Sequence, residues 1–306
     1  MYDDAIVVLD KRFRRYALAN AHIDVLHHGT RWAEGPAYFP AGKYLLWSDI
    51  PNDRVLRHDE TDGTVSVFER DAGNHNGHTV DREGRLVSCE HRGRQVSRIE
   101  HDGSITTLVA EVDGKRLNSP NDVVVKSDGT VWFTDPTYGI DGDYEGDRAD
   151  GEIGGSHVYR HDPASGATVA VATDFVQPNG LAFSPDERLL YIADTGATHV
   201  EDGPRHIRVF DVAGEGALSD GRVFAESTCG LFDGFRIDID GNLWTSAGDG
   251  VHCLTPEGEL IGKILTGEVV ANVEFGGPKR NRLYICATTT LQAMYVNTRA
   301  APRGTR

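Results

Sequence analysis

A chain of 306 residues can bury a large core, and its formal charge of −16 at pH 7 argues against general affinity for nucleic acid or an anionic membrane surface. Glycine is frequent (35) and methionine rare (2), a balance suited to many short strands joined by tight turns. The four cysteines, Cys89, Cys229, Cys253 and Cys286, form no CxxC pair; free thiols in a reducing compartment are expected rather than a zinc ribbon or redox motif. No apolar run is long enough to span a bilayer and the first twenty residues lack a secretory apolar core, so a cytoplasmic protein is expected.

Residues 1–21 read as an N-terminal extension with weak helical character around Arg12–Ala19. A strand is expected at His22–Leu26, after which the chain becomes repetitive. Each repeat opens on a polar residue at the mouth of an apolar strand, turns at a Gly-containing loop, and continues in strands of aromatic and β-branched residues. Asn121-Asp122, the turn Ser127-Asp128-Gly129 and Thr130–Asp135 form the clearest example. The repeats start at 34, 76, 121, 179, 233 and 272, separated by 42, 45, 58, 54 and 39 residues. Periods of about 40–50 residues with four strand-like runs are the signature of propeller blades. The expected fold is therefore all-β, a six-bladed β-propeller with four-stranded blades, filling one domain over residues 1–306. The sixth unit runs out after three strands, and the strand at 22–26 would supply its fourth and close the ring. The tail Asn297–Arg306 is expected to fray.

In a propeller the first strand of each blade lines the central channel. The residues that open the six units are Glu34, Asn76, Asn121, Asn179, Asp233 and Asn272. Two carboxylates and several amide oxygens converging on one axis make a hard, oxygen-rich site. Such a site suits calcium, magnesium or manganese better than metals that prefer thiolate.

The chain resembles the SMP-30/gluconolactonase/luciferin-regenerating-enzyme family, and its bacterial gluconolactonase branch in particular. The resemblance spans about Trp32 to Cys286. It rests on Trp32-Ala33-Glu34-Gly35-Pro36, Cys89-Glu90-His91, Asn118-Ser119-Pro120-Asn121-Asp122, Trp132-Phe133-Thr134-Asp135-Pro136, Gln177-Pro178-Asn179-Gly180-Leu181 and Asp233-Gly234 in that order. It implies one divalent cation held by Glu34, Asn179 and Asp233, with Asn121 touching the substrate or the metal. Calcium is the first expectation, with magnesium, manganese or zinc as alternatives. The implied reaction is hydrolysis of a sugar lactone to an aldonic acid. Other esters, phosphotriesters or a non-catalytic binding scaffold are the alternatives. One departure stands out: animal members carry an arginine two residues before the Asn121 position, where this chain has Ser119.

For lactone hydrolysis, Asp233 is the candidate general base and the cation would polarise the carbonyl. A carboxylate held by a cation is a weak base, so activation of the water by the ion itself is the rival. Asn121, Asn76, Ser119 and His75 are the candidate substrate contacts. A small lactone is the expected partner, and a monomer or small homo-oligomer the expected state. No HExxH and no GxSxG motif occurs, so neither a zincin nor an α/β-hydrolase route is indicated. The insertion at Gly139–Ser156 contains Asp141, Asp143, Glu145 and Glu152 at near EF-hand spacing without convincing flanking helices. A solvated acidic lid over the channel mouth is the expectation, with an auxiliary calcium site as the alternative. Trp47, Trp132 and Trp244 are expected to pack between blades, and Trp32 to line the pocket.

Overall fold

The structure, a computed structural model, describes residues 3–301. Six antiparallel sheets follow one another along the chain as the blades of a propeller. From the channel outwards, blade one comprises Ala33–Phe39, Tyr44–Asp49, Arg54–Asp59 and Val65–Arg70. Blade two comprises His75–Val80, Leu86–Glu90, Gln95–Ile99 and Ile105–Val109. Blade three comprises Val123–Val125, Val131–Asp135, Ser156–His161 and Thr168–Phe175. Blade four comprises Pro178–Phe183, Leu189–Asp194, His206–Val212 and Leu218–Glu226. Blade five comprises Phe235–Ile237, Leu243–Ala247, Gly250–Leu254 and Leu260–Leu265. Blade six comprises Val270–Gly276, Arg282–Ala287 and Thr290–Tyr295, with Asp24–His28 as its outer strand.

Burial follows position in the blade. The second strands, such as Leu86–Glu90 and Leu243–Ala247, are buried along their whole length because blades cover both faces. The outer strand Val65–Arg70 alternates half-buried and exposed residues, the pattern of a strand with one wet face. Among the described residues, six apolar clusters fill the six gaps between neighbouring blades. Trp47, Trp132 and Trp244 are fully buried in three of them, as the sequence predicts. Turns repeat too. In Asp62-Gly63-Thr64, Asp102-Gly103-Ser104 and Asp128-Gly129-Thr130 the aspartate carboxylate accepts the N–H two residues on, each at 2.9 Å.

The ring closes as expected, two residues later than the sequence suggests: Asp24–His28 pairs antiparallel with Thr290–Ala293. Two expectations at the ends need correction. The helical character near Arg12 is a short 3-10 turn, Lys11–Arg15, preceded by a strand, Ile6–Val8, that adds a fifth strand to blade five. Phe13 from that turn lies over Gly262 and 5.9 Å from Trp244, in the gap between blades five and six. The tail is not frayed over its first five residues. Asn297 donates through its main chain to Tyr16 O (2.7 Å) and through Nδ2 to Arg15 O (2.8 Å), and Ala301 N donates to Ile237 O (3.0 Å). Residues 302–306 lie outside the described part. Among the described residues no helix is long and apolar enough to cross a membrane.

Candidate active site

A cavity of about 270 Å³ opens at the end of the channel where the inner strands begin. Glu34, Asn76, Asn121, Asn179 and Asp233 all line it. Their convergence has a local cause. In blades one, two and four the strand register slips at the site residue, between Glu34 and Ala37, between His75 and His78 around Asn76, and between Pro178 and Leu181 around Asn179. A bulge of this kind turns a side chain out of the ladder and towards the axis. Glycine follows the site residue in four of the five cases, and Gly35 and Gly180 show why. A Cβ on Gly35 would collide with Asn76 O, and one on Gly180 with Asp233 O, so only glycine lets neighbouring blades approach this closely.

Each side chain is held by identifiable partners. Glu34 is 3 % exposed; its Oε2 accepts from Asn272 Nδ2 at 3.0 Å and from its neighbour Gly35 N. Asn272 therefore stands behind the site rather than in it. Asn121 is fixed through its main chain, with N donating to Thr134 O (2.9 Å) and O accepting from Gly77 N (2.7 Å), while its carboxamide faces the cavity. Asn179 donates to Thr195 Oγ1 at 3.3 Å. Asp233 N lies 2.8 Å from Ser246 Oγ.

Asn76 donates through Nδ2 to His91 Nε2 at 3.0 Å, and His91 Nδ1 lies 3.2 Å from the carbonyl of Glu145. A carbonyl can only accept, so the His91 proton sits on Nδ1. Burial lowers His91 to about 4, which keeps the ring neutral at physiological pH.

Electrostatically the site is short of positive charge. Burial, and then the Asp122 carboxylate, raise Glu34; burial, then Glu34, Asp122 and Glu145, raise Asp233 well above the ordinary range. Arg236 lies deeper in the channel and is already engaged, donating to Glu274 Oε2 at 2.9 Å and to Phe235 O at 2.9 Å. Among the described residues no three His, Cys, Asp or Glu side chains gather as a metal cluster. A cation here would draw on amide oxygens as well, and two adjacent carboxylates beside carboxamides fit a hard divalent ion.

Two expected contacts are not at the cavity. Ser119 is fully buried, and its hydroxyl donates to Pro136 O (2.8 Å) and accepts from Gly139 N (2.9 Å). It splints the base of the lid and has no free face for substrate. His75 is also buried, with Nε2 3.5 Å from Glu90 Oε1, because the bulge after it turns Asn76 inward instead. Trp32 does line the cavity.

The insertion does cover the mouth, and its carboxylates have separate tasks. Asp141 pairs with His199 Nε2 (2.7 Å), Asp143 caps Arg148 N (2.9 Å) and Glu152 accepts from Arg116 N (2.9 Å). Glu145 enters the cavity, where burial raises it to about 7. The repeat pattern does not point to Glu145, which lies in the insertion of the third unit and not at the start of any unit. The available signal is the insertion's length, since an acidic loop at a channel mouth has only the mouth to cover.

Residues 32–289 match the SMP-30/Gluconolactonase/LRE-like region family. The chain belongs to this family. A gluconolactonase of Zymomonas mobilis is 30% identical over 290 residues, covering 87% of this chain and 79% of that one. The structure of a gluconolactonase from Xanthomonas campestris is 38% identical, with a TM-score of 0.89 over 96% of this chain and 95% of that chain. The calcium-binding protein regucalcin from Agrobacterium tumefaciens shares the fold at 19% identity, with a TM-score of 0.71 over 91% and 95% of the two chains.

Proposed function

We propose that this family member is an enzyme that opens lactone rings by hydrolysis, using a divalent cation held by Glu34, Asn179 and Asp233, with Asn121 beside it. The observation that carries this reading is the meeting of two carboxylates and three carboxamides from five blades in one cavity whose carboxyls are pushed up by burial. The gluconolactonases of Z. mobilis and X. campestris support the lactone as substrate. Calcium is the ion of choice, in keeping with the oxygen donor set and the calcium-binding regucalcin of the same fold. The cysteines are free, which supports a reducing, cytoplasmic setting.

When bound, the cation supplies Lewis-acid polarisation of the lactone carbonyl. Asn76, from blade two, and Asn121, at the start of blade three, orient the ring and the attacking water. Asn76 keeps its Nδ2 on His91, so its Oδ1 is the atom left to accept from water. Asp233 takes the water proton as the new C–O bond forms. It returns that proton to the ring oxygen as the acyl C–O bond breaks, leaving the hydroxy acid.

Lactone hydrolysis by Glu34→Gln and Asp233→Asn tests the reading. Asp233→Asn should lower kcat/KM by ~100- to 10,000-fold, the usual range for removing an acid–base group, and Glu34→Gln should lower it through loss of the cation. Wild-type rates in both variants would refute it.

A further inference from the structure

We infer that Thr195 is a positioning residue for the cation site: its hydroxyl turns the Asn179 carboxamide so that the oxygen, not the nitrogen, faces the ion. This rests on the reading above that Glu34, Asn179 and Asp233 hold a divalent cation.

A carboxamide is planar, with an oxygen that can bind a hard cation at one end and a donor-only NH2 group at the other. A site that uses asparagine as a ligand must therefore fix which end it presents. For Asn179, Thr195 fixes it. Gln177 O can only accept, so the Thr195 hydroxyl proton goes there, at 3.1 Å. The hydroxyl oxygen is then an acceptor for Asn179 Nδ2 at 3.3 Å and for Tyr138 Oη at 2.7 Å. The side-chain contact of Asn179 with Asp233 favours the charged form of that carboxyl, so it too comes from the amide nitrogen. With Nδ2 engaged, Oδ1 is the end left for the ion.

Thr195 is buried, and the main chain fixes its own place. Its N–H donates to Gln177 O (3.0 Å) and its carbonyl accepts from Thr198 N (3.0 Å). Branching at Cβ restricts the side chain further.

Blade two repeats the device. Thr195 follows the second strand of its blade, Leu189–Asp194, as His91 follows Leu86–Glu90. Each donates its main-chain N–H to the carbonyl two residues before the site asparagine, His91 to Asn74 O at 3.1 Å and Thr195 to Gln177 O. Each then accepts from that asparagine's Nδ2, His91 through Nε2 at 3.0 Å. The carboxylate blades differ. In blade one the same main-chain bond runs from Ile50 N to Trp32 O (3.2 Å), but the side chain is apolar. In blade five the residue after Leu243–Ala247 is Gly248, which has no side chain. Glu34 and Asp233 have two like oxygens and need no such choice. Blade three has Pro136 at this position, and Asn121 is fixed through its main chain instead.

The test is calorimetric titration of calcium into chelator-stripped enzyme. Thr195→Val is close in shape but lacks the acceptor. It should weaken binding about 10- to 100-fold, the range for removing a partner that orients a metal ligand. Thr195→Ser keeps Oγ1 and should stay within about threefold of wild type. In an Asn179→Asp background the ligand oxygens are equivalent, so Thr195→Val should then change the affinity by less than about threefold, whereas a purely structural role carries its full loss into that background. A measurement free of substitutions at Thr195 is the crystal structure of calcium-loaded wild type. Asn179 Oδ1 should lie about 2.3–2.6 Å from the ion, with Nδ2 on Thr195 Oγ1. Wild-type affinity in Thr195→Val, equal losses in Thr195→Val and Thr195→Ser, equal losses in the two backgrounds, or a carboxamide turned away from Thr195 in the loaded crystal overturns the assignment and leaves the cation reading standing. Wild-type enzyme that binds no cation removes both.

Discussion

Ser119 takes the place of a sugar-binding arginine in the family resemblance, yet its hydroxyl is committed to two main-chain groups at the base of the lid. Ser119→Ala strands a buried carbonyl and a buried N–H, so it should cost about 1–3 kcal/mol of stability, read as a lower thermal midpoint. Asp135, beside it in the fold, is raised to about 7 by burial, although the N–H groups of Asn118 and Ser119 pull the other way. Its folded value lies above the ordinary value of 3.8, so the folded state holds the proton more tightly. The associated stability is complete below pH 4 and is lost as pH rises to about 7. Asp135→Asn removes that dependence. The stability difference, wild type minus variant, should fall between pH 4 and 8 by ~2–4 kcal/mol, measured by denaturant titration at each pH. A flat difference would contradict the assignment. At this scale the sequence shows much of the site. Glu34, Asn76, Asn121, Asn179 and Asp233 are legible because each opens a repeat. His75 and Ser119 mislead because one residue's shift at a bulge or turn decides which side chain faces the axis, and single residues carry no period. Arg236 and Glu274 escape notice because their importance lies in pairing across 38 residues.

Strands with a full apolar period are readable, and short or singular elements are not. The second strands of the blades are visible from their runs of Leu, Trp, Val and Ile. Ile6–Val8 is too short to show alternation, and its pairing with Gly262–Ile264 is a contact between distant parts of the chain. Phe13 carries most of what the N-terminal extension adds to the core, being 1% exposed against Trp244. Phe13→Ala should destabilise by about 3–5 kcal/mol, as for other buried aromatic truncations. Thermal unfolding with lactone turnover as a second readout checks it. The midpoint should drop while turnover at 25 °C persists, because Phe13 and the residues it meets most directly, Trp244 and Gly262, do not line the cavity.

The whole molecule depends on closure. Asp24–His28 joins the first blade's approach to the last blade's edge, so the two ends of the chain share one sheet. Removing residues 1–10 takes away the extra strand of blade five and the Asp10 cap of the turn that carries Phe13, and should lower the melting temperature by a few degrees. Removing residues 1–29 exposes the edge of Thr290–Tyr295 and should abolish cooperative melting and promote association, seen by size exclusion. Six repeats at regular spacing make this architecture legible from sequence, because each repeat must find its neighbours to bury its faces. What the ring achieves is to bring five polar residues, spread over 200 positions from Glu34 to Asp233, into one cavity. The most direct test of that claim is metal content against activity. Enzyme stripped with a chelator should lose lactone hydrolysis and regain it as divalent cation approaches one equivalent per chain, while Glu34→Gln and Asp233→Asn retain little metal at the same free concentration. Full hydrolysis by stripped wild-type enzyme with no measurable metal would contradict the account.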